Sequence, residues 1–185
     1  MSELSSLYLK VKIGKSQLEK FLNSKFEKPA LNQNWIDWWE SRRMYSKMEL
    51  SSELFCIPGQ SNQQFINSWL EYPQAMAFSD YNEVLEEWHF GMLFFSENYE
   101  EMLSMFAFIT SLEKYVNNDS ENFAVVFPFF WGDDDVQAYI YFENEKAILS
   151  PQVQTTEDLN SEILMKTQHY LNTKWEELSK NMDVD

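Results

Sequence analysis

The chain has 185 residues and a mass of 22.1 kDa, with 30 acidic and 14 basic side chains and a formal net charge of −16. An apolar content of 44% is too high for a disordered chain. A pI near 4.4 argues against direct binding to a nucleic-acid backbone, because phosphate contacts need clustered Lys and Arg. The length predicts one globular domain over residues 1–185.

The sequence lacks the features of an exported or membrane-embedded protein. Cys56 is the one cysteine, so no internal disulfide can form, which favours a reducing compartment. The first residues lack the cationic start and apolar block of an export signal. The longest apolar stretches, 102–112 and 123–131, are too short to span a bilayer. We therefore expect a cytoplasmic protein without membrane contact.

The charges are distributed unevenly along the chain. Residues 1–47 hold nine basic and five acidic side chains. Residues 48–113 hold eleven acidic and no basic ones, and residues 114–185 hold fourteen acidic and five basic ones. A stretch of 66 residues without Lys or Arg cannot neutralise its own carboxylates, so the sequence predicts a surface of strong negative potential.

The first elements of the chain are predicted to be a strand and two helices. Residues 7–13 alternate apolar and polar side chains, which is typical of a half-buried strand. Ser16 and Glu19 have the spacing of a capping box and predict a short helix. Tryptophans at positions 35, 38 and 39 share one helical face and predict a second helix that runs toward Tyr45.

Two further helix starts are predicted in the middle of the chain. Ser61 with Gln64 has the capping pattern of a third helix, and Asp80 with Glu83 has a similar one. Residues 88–95 are aromatic and apolar enough for a central strand.

The second half predicts a helix, three strands and a long final helix. Residues 98–116 have helical periodicity, and residues 123–131 and 136–142 are β-rich runs that form a hairpin. Residues 147–149 predict a short edge strand, and residues 156–180 a closing helix. This order indicates an α+β fold, with an antiparallel or mixed sheet of about four to five strands and helices packed mainly on one face.

Three consecutive aspartates, Asp133, Asp134 and Asp135, lie at the predicted hairpin tip. Adjacent side chains at a turn point apart, whereas a Mg²⁺ or Ca²⁺ site needs converging ligands, so a solvated tip is the simplest interpretation. The alternative is an acidic contact for a basic partner. Trp131 favours that alternative, because an aromatic beside charges is typical of an interface anchor.

Six glutamates flank the predicted strand 88–95 on both sides. Acidic residues in the first turn of a helix stabilise it, which explains most of them structurally. That explanation does not account for the lack of a nearby cation, so we also predict a role in partner binding. The six are Glu83, Glu86, Glu87, Glu97, Glu100 and Glu101.

No pattern of catalytic, metal-binding or cofactor-binding residues is present. The two histidines, His89 and His169, are 80 positions apart and have no zinc-ligand spacing. Cys56, between Phe55 and Ile57, is expected to be a small core residue rather than a nucleophile. Gly-rich phosphate loops and nucleophile elbows are absent from the sequence. We therefore predict a protein that is not an enzyme, with no cofactor and no metal.

In its whole-chain profile the sequence is similar to bacterial immunity proteins of contact-dependent and other polymorphic toxin systems. The resemblance is carried by the leading strand 7–13, the strand 88–95, and the hairpin 123–142 with its three aspartates. It rests on no diagnostic motif. It implies a small, acidic α+β protein that neutralises one cognate toxin.

The expected function is therefore a non-catalytic acidic module that docks on the basic active-site region of a toxin, a nuclease being one example. Complementary potential accelerates such an association. Two alternatives remain open at this point: a small-ligand-binding or enzymatic α+β domain, and a DNA mimic that inhibits a nucleic-acid-binding protein.

Overall fold

The computed structural model describes residues 3–56 and 59–180, which form five helices and six strands. The strands are β1 (Ser6–Lys12), β2 (Ala77–Asn82), β3 (Glu87–Met92), β4 (Phe123–Phe127), β5 (Ala138–Glu143) and β6 (Lys146–Leu149). The helices are α1 (Lys15–Asn23), α2 (Gln33–Ser41), α3 (Asn62–Leu70), α4 (Tyr99–Thr110) and α5 (Ser161–Ser179).

The strands form one antiparallel sheet in the order β2-β3-β1-β4-β5-β6. The first strand of the chain is central, because it pairs with β3 on one side and with β4 on the other. One outer edge, that of β6, is covered by α2. The Asn34 side chain accepts a hydrogen bond from the Leu149 amide at 3.0 Å and donates one to the Leu149 carbonyl at 2.8 Å.

The two faces of the sheet carry separate apolar clusters. Side chains from α1, α2, α3 and α4 pack with Leu7, Leu9 and Val11 on one face. Helix α5 covers the other face, where Leu171 is buried together with Tyr8 and other residues of the sheet. Alternation along β1 explains this division, because successive side chains of a strand point to opposite faces.

The interface between α5 and the sheet contains a polar and aromatic network. The hydroxyl of Tyr8 lies 2.9 Å from His89 Nδ1, and the rings of His89 and Tyr170 stack with centroids 4.6 Å apart. Asp80 accepts a hydrogen bond from the Tyr170 hydroxyl at 3.0 Å and lies 2.9 Å from the Lys174 ammonium. The helix is thus held by titratable groups as well as by apolar contacts.

Most predicted elements are confirmed. The α+β class, the leading strand, the antiparallel pairing of β4 with β5 and the edge position of β6 all agree with the sequence analysis. Ser61 forms the predicted capping box with Gln64 at the start of α3. The sheet has six strands rather than four or five. Four helices contribute to one face, and α5 covers the other.

Three local predictions are wrong. Asp80 and Glu83 do not start a helix, because they lie in β2 and in the turn that joins β2 to β3. Ser16 does not cap α1, whose N-cap residue is Gly14 without a side-chain cap. Cys56 is exposed rather than part of the core. Its backbone amide hydrogen-bonds to the Ser104 hydroxyl at the edge of the packed region.

Within residues 3–56 and 59–180, no helix combines the length and the apolar character that crossing a bilayer needs.

Candidate protein-binding surface

The register of β1 defines two ends of the sheet. At one end, the start of β1 pairs with the last residues of its neighbours, Leu7 with Met92 and Ser6 with Phe127. At the other end, Lys12 pairs with Glu87 beside the β2–β3 turn. About six residues of strand separate the ends, roughly 20 Å at the usual rise per residue.

Two of the three predicted acidic segments lie at the end where β1 begins. The β3–α4 connection stays paired with the chain before β1, since Phe95 donates to the Ser5 carbonyl at 2.7 Å and Ser5 donates to the Ser96 carbonyl at 3.2 Å. The indole of Trp131 donates to the Leu4 carbonyl at 3.1 Å. Residues 3–5 thus lie between the two segments. We define the acidic end as Glu3, Glu97, Glu101, Asp133, Asp134 and Asp135.

The carboxylates of this surface have no basic partner within the part of the chain that the structure describes. None of the acidic-end carboxylates lies within 4.0 Å of a Lys or Arg nitrogen there. All six side chains belong to exposed residues. A surface of this kind presents a negative potential that no neighbouring Lys or Arg of the described chain neutralises, and it attracts cationic groups.

Two adjoining depressions open on the acidic end. The first, of about 580 Å³, has Tyr99, Met102 and Met44 among its lining residues, with the guanidinium-bearing Arg43 and the fully exposed Tyr45 at its rim. The second, of about 510 Å³, lies between α3 and the β3–α4 connection. Glu97 and Asn98 line both, so the two depressions adjoin at these residues, and together we call them the groove.

Aromatic side chains, some exposed and some half-buried, line the second depression or lie near it. Trp131 is 42% exposed and Tyr72 is 51% exposed. Phe94 stacks on Phe130, with ring centroids 5.0 Å apart, and Phe130 in turn contacts Trp175 edge-on at 5.3 Å. Large aromatic side chains beside unpaired charges are typical of the central contacts in protein interfaces.

A buried arginine, Arg42, holds in place the loop that carries Asp133, Asp134 and Asp135, which we call the aspartate loop. The Arg42 guanidinium donates to four main-chain carbonyl oxygens, those of Val136, Ser150, Pro151 and Val153. The four acceptors are main-chain carbonyls, which any residue type provides, so the residue types of the chain do not indicate this role. Burial lowers the pKa of Arg42, and the charges of Asp135 and Asp158 act against that effect.

Two backbone hydrogen bonds further hold the aspartate loop. Val136 donates to the Gln154 carbonyl at 2.7 Å, and Thr156 donates to the Asp134 carbonyl at 2.8 Å. The Asp158 carboxylate accepts hydrogen bonds from the amides of Gln154 and Thr155, which holds the pKa of that carboxyl below its usual range. The aspartates are therefore carried on a fixed loop rather than on a free tip.

The third predicted acidic segment lies at the opposite end of the sheet. The Lys15 ammonium pairs with Glu83 and holds the pKa of that carboxyl below its ordinary value. Glu87 is buried and lies 3.3 Å from the Lys10 ammonium. Glu86, in the β2–β3 turn, accepts a backbone hydrogen bond from Ile13. Glu83 and Glu87 are thus neutralised within the chain, and the structure does not bring these three residues to the acidic end.

Of the ten residues predicted to bind a partner, the structure therefore brings together seven. Glu97 and Glu101 line the groove, and Glu100 lies beside them in sequence without lining it. Trp131 and the three aspartates lie on the neighbouring loop, which the Trp131 indole joins to Leu4. Sequence reasoning missed the aromatic lining. Phe94 and Phe95 were assigned to a central strand, but β3 ends at Met92, and beyond it the chain keeps only single backbone hydrogen bonds to its neighbours, such as that of Phe95 with Ser5. The sequence did offer one signal: Tyr72 and Pro73 follow closely after the end of α3, and a residue in such a connection is commonly exposed.

The two histidines do not belong to the acidic end. Among residues 3–56 and 59–180, no group of three or more His, Cys, Asp or Glu side chains is arranged to hold a metal ion. His89 is enclosed under α5, and burial lowers its pKa. His169 is exposed on the outer side of that helix. Comparisons of the chain with protein-family models, with curated protein sequences and with solved structures gave no match.

Proposed function

We propose that the chain is a non-catalytic protein-binding module that neutralises a cognate toxin by docking its acidic end on the basic active-site region of that toxin. A nuclease toxin fits this role best, because a groove that binds phosphates also attracts a surface of clustered carboxylates. The observation that carries the proposal is a group of six carboxylates that have no ion-pair partner among the described residues and that lie beside a groove with exposed aromatics.

The two components of this surface have different roles in association. The carboxylates steer a cationic partner toward the groove and raise the association rate. Trp131 and the aromatics of the groove then bury apolar area and slow dissociation, because large aromatic anchors supply most of the binding energy of an interface. The fixed aspartate loop lowers the ordering cost, since its backbone is already held in the free protein.

Co-expression with a panel of toxic nuclease domains, followed by purified pairs in a surface-binding assay, tests this function. We expect the protein to restore growth of cells that express one of these toxic domains. We also expect its association rate with that domain to fall steeply between low and high salt. The acidic-end variant carries Glu97→Lys and Asp134→Lys. We expect it to associate on the order of tenfold more slowly at low salt.

A matched control carries the same charge change on the opposite end. Glu143 and Glu145 are exposed and lie in and after β5, where β5 turns into β6. Glu143→Lys with Glu145→Lys gives the same net charge as the acidic-end variant and should change the association rate less than twofold. Equal slowing by both pairs would show that net charge alone acts, and an association rate independent of salt would contradict docking through the acidic end.

A further inference from the structure

We infer that the depression between α3 and the β3–α4 connection binds an arginine side chain of the partner. The inference rests on the proposed function and specifies the chemical group that the acidic end recognises. It concerns the second of the two depressions, of about 510 Å³, whose lining includes Trp69, Tyr72, Phe94, Phe95, Glu97 and Glu101.

The aromatic part of this depression is set by packing. Trp69, near the end of α3, contacts Phe95 edge-on with ring centroids 5.3 Å apart. Phe95 is buried, whereas Trp69 and Phe94 are half-buried and Tyr72 is exposed. Several aromatic rings thus border one cavity and leave part of their surface accessible to a ligand.

The acidic part is fixed by hydrogen bonds. The Ser96 hydroxyl donates to Glu101 Oε2 at 2.6 Å and accepts from the Asn98 amide at 2.8 Å. Glu101 is therefore oriented before any ligand arrives, and its Oε1 atom is left to accept from one. Among the residues that the structure describes, the lining of this depression includes Glu97 and no Lys, Arg or His, whereas the lining of the first depression includes Arg43.

Aromatic faces together with unpaired carboxylates select an organic cation. A cation over an aromatic face is stabilised by about 0.5–1 kcal/mol at an exposed site, and more when water is excluded. Guanidinium fits better than ammonium, because it is planar, stacks on rings, donates a forked pair of hydrogen bonds to a carboxylate and is less strongly hydrated. Arginine is also among the residues that contribute most to interface energies.

Titration with N-acetyl-arginine amide, followed by nitrogen-15 NMR at low salt, tests the inference without the toxin. The expected result is a saturable shift of the Trp69 indole and of the Ser96 and Glu101 amides. N-acetyl-lysine amide should bind at least about threefold more weakly, because its ammonium group cannot stack on an aromatic ring or donate two parallel hydrogen bonds to a carboxylate. Shifts no larger than those caused by N-acetyl-glycine amide, or a response elsewhere on the surface, would overturn the inference.

Glu101→Gln and Glu100→Gln form a matched pair, because both remove one carboxylate from the same helical turn and only Glu101 lines the depression. Glu101→Gln should weaken arginine-amide binding roughly threefold to tenfold. Glu100→Gln should leave it within a factor of two. Equal weakening by both would mean that general charge attraction, not the depression, binds the cation.

The test separates this inference from the proposed function. If the Glu97→Lys and Asp134→Lys variant loses toxin binding while arginine amide fails to bind the wild-type protein, the depression is not an arginine site and the docking function stands. If arginine amide binds as expected and the panel yields no toxin partner, the site stands and the docking function fails.

Discussion

The guanidinium of Arg42 donates a hydrogen bond to the carbonyl oxygen of Val136, which follows the three aspartates directly and lies 94 positions further along the chain. A buried cation thus fixes the position of an exposed acidic loop. The other carbonyls that it binds lie between Ser150 and Val153, so the same side chain ties two connections together.

Replacing Arg42 by Met should loosen the aspartate loop. The substitution leaves buried carbonyl groups without donors, each of which costs about 1–3 kcal/mol. Hydrogen exchange should therefore accelerate at the amides of Val136 and Thr156, whose bonds connect the two segments. The amides of β1 serve as the internal reference. Uniform acceleration across the whole sheet would indicate global destabilisation instead of a local positioning role.

His89 predicts a specific dependence of stability on pH. Burial lowers its pKa from the ordinary value of 6.5, so the folded protein holds the imidazole neutral. Below pH 6.5 the unfolded chain binds this proton more readily, and the free energy of unfolding must therefore fall as the pH falls through the folded pKa. The stabilisation is fully present above the unfolded value.

Denaturant midpoints at pH 7.5, 6.5 and 5.5 check this prediction. His89→Gln should flatten the profile in that interval, whereas His169→Gln, on the exposed side of α5, should leave it unchanged. Parallel profiles for the wild type and His89→Gln would contradict a role for this histidine.

Lys10 and Glu87 form an ion pair with side chains that are 10% and 11% exposed. Lys10→Met should cost about 3 kcal/mol or more, because the substitution leaves a buried carboxylate without its cation. Adding Glu87→Gln should restore part of the loss. Lys15→Met serves as the control, because it removes the exposed ion-pair partner of Glu83. It should leave the denaturant midpoint of unfolding almost unchanged. Equal losses in the single and double variants would rule out coupling between the two side chains.

Gly91 is required by the close approach of its neighbours in the sheet. A Cβ atom there would lie 2.3 Å from the Leu7 carbonyl oxygen and 2.7 Å from Cζ of Phe78. Gly91→Ala should destabilise the protein by about 1–3 kcal/mol, since the backbone must move. A Cβ atom at Gly14 would lie 3.7 Å from its nearest neighbouring atom, so Gly14→Ala should lower the thermal midpoint less than Gly91→Ala does. A thermal midpoint unchanged by Gly91→Ala would be inconsistent with this packing.

The elements that were predicted correctly have strong local signals. Strand β1 alternates cleanly, and the start of α3 carries a capping box. The β2–β3 hairpin was missed because its turn contains no Gly or Pro. The Asn82 side chain accepts from the amides of Val84 and Leu85, and Glu86 adopts a positive φ of 51°. Asn82 is a residue type that favours turns, but alone it is a weaker signal than Gly or Pro.

The candidate surface was predictable only in part, for a similar reason. Runs of Asp and Glu are visible in the sequence, but whether each carboxylate is neutralised depends on the strand register. Lys12 pairs with Glu87 in the β1–β3 register, and this brings Lys10 close to Glu87. The acceptors of Arg42 are main-chain carbonyls, which any residue provides. Neither relationship follows from residue types alone.

The bonds between Asn34 and Leu149 have a consequence for self-association. The amide side chain takes the place of a further strand at β6, so additional chains cannot lengthen the sheet from that side. Within the described residues, the strand edge that remains available for backbone pairing is that of β2. Edge-to-edge assembly would then end at two copies and could not propagate into a fibre, which protects a chain rich in aromatic β-segments from polymerisation.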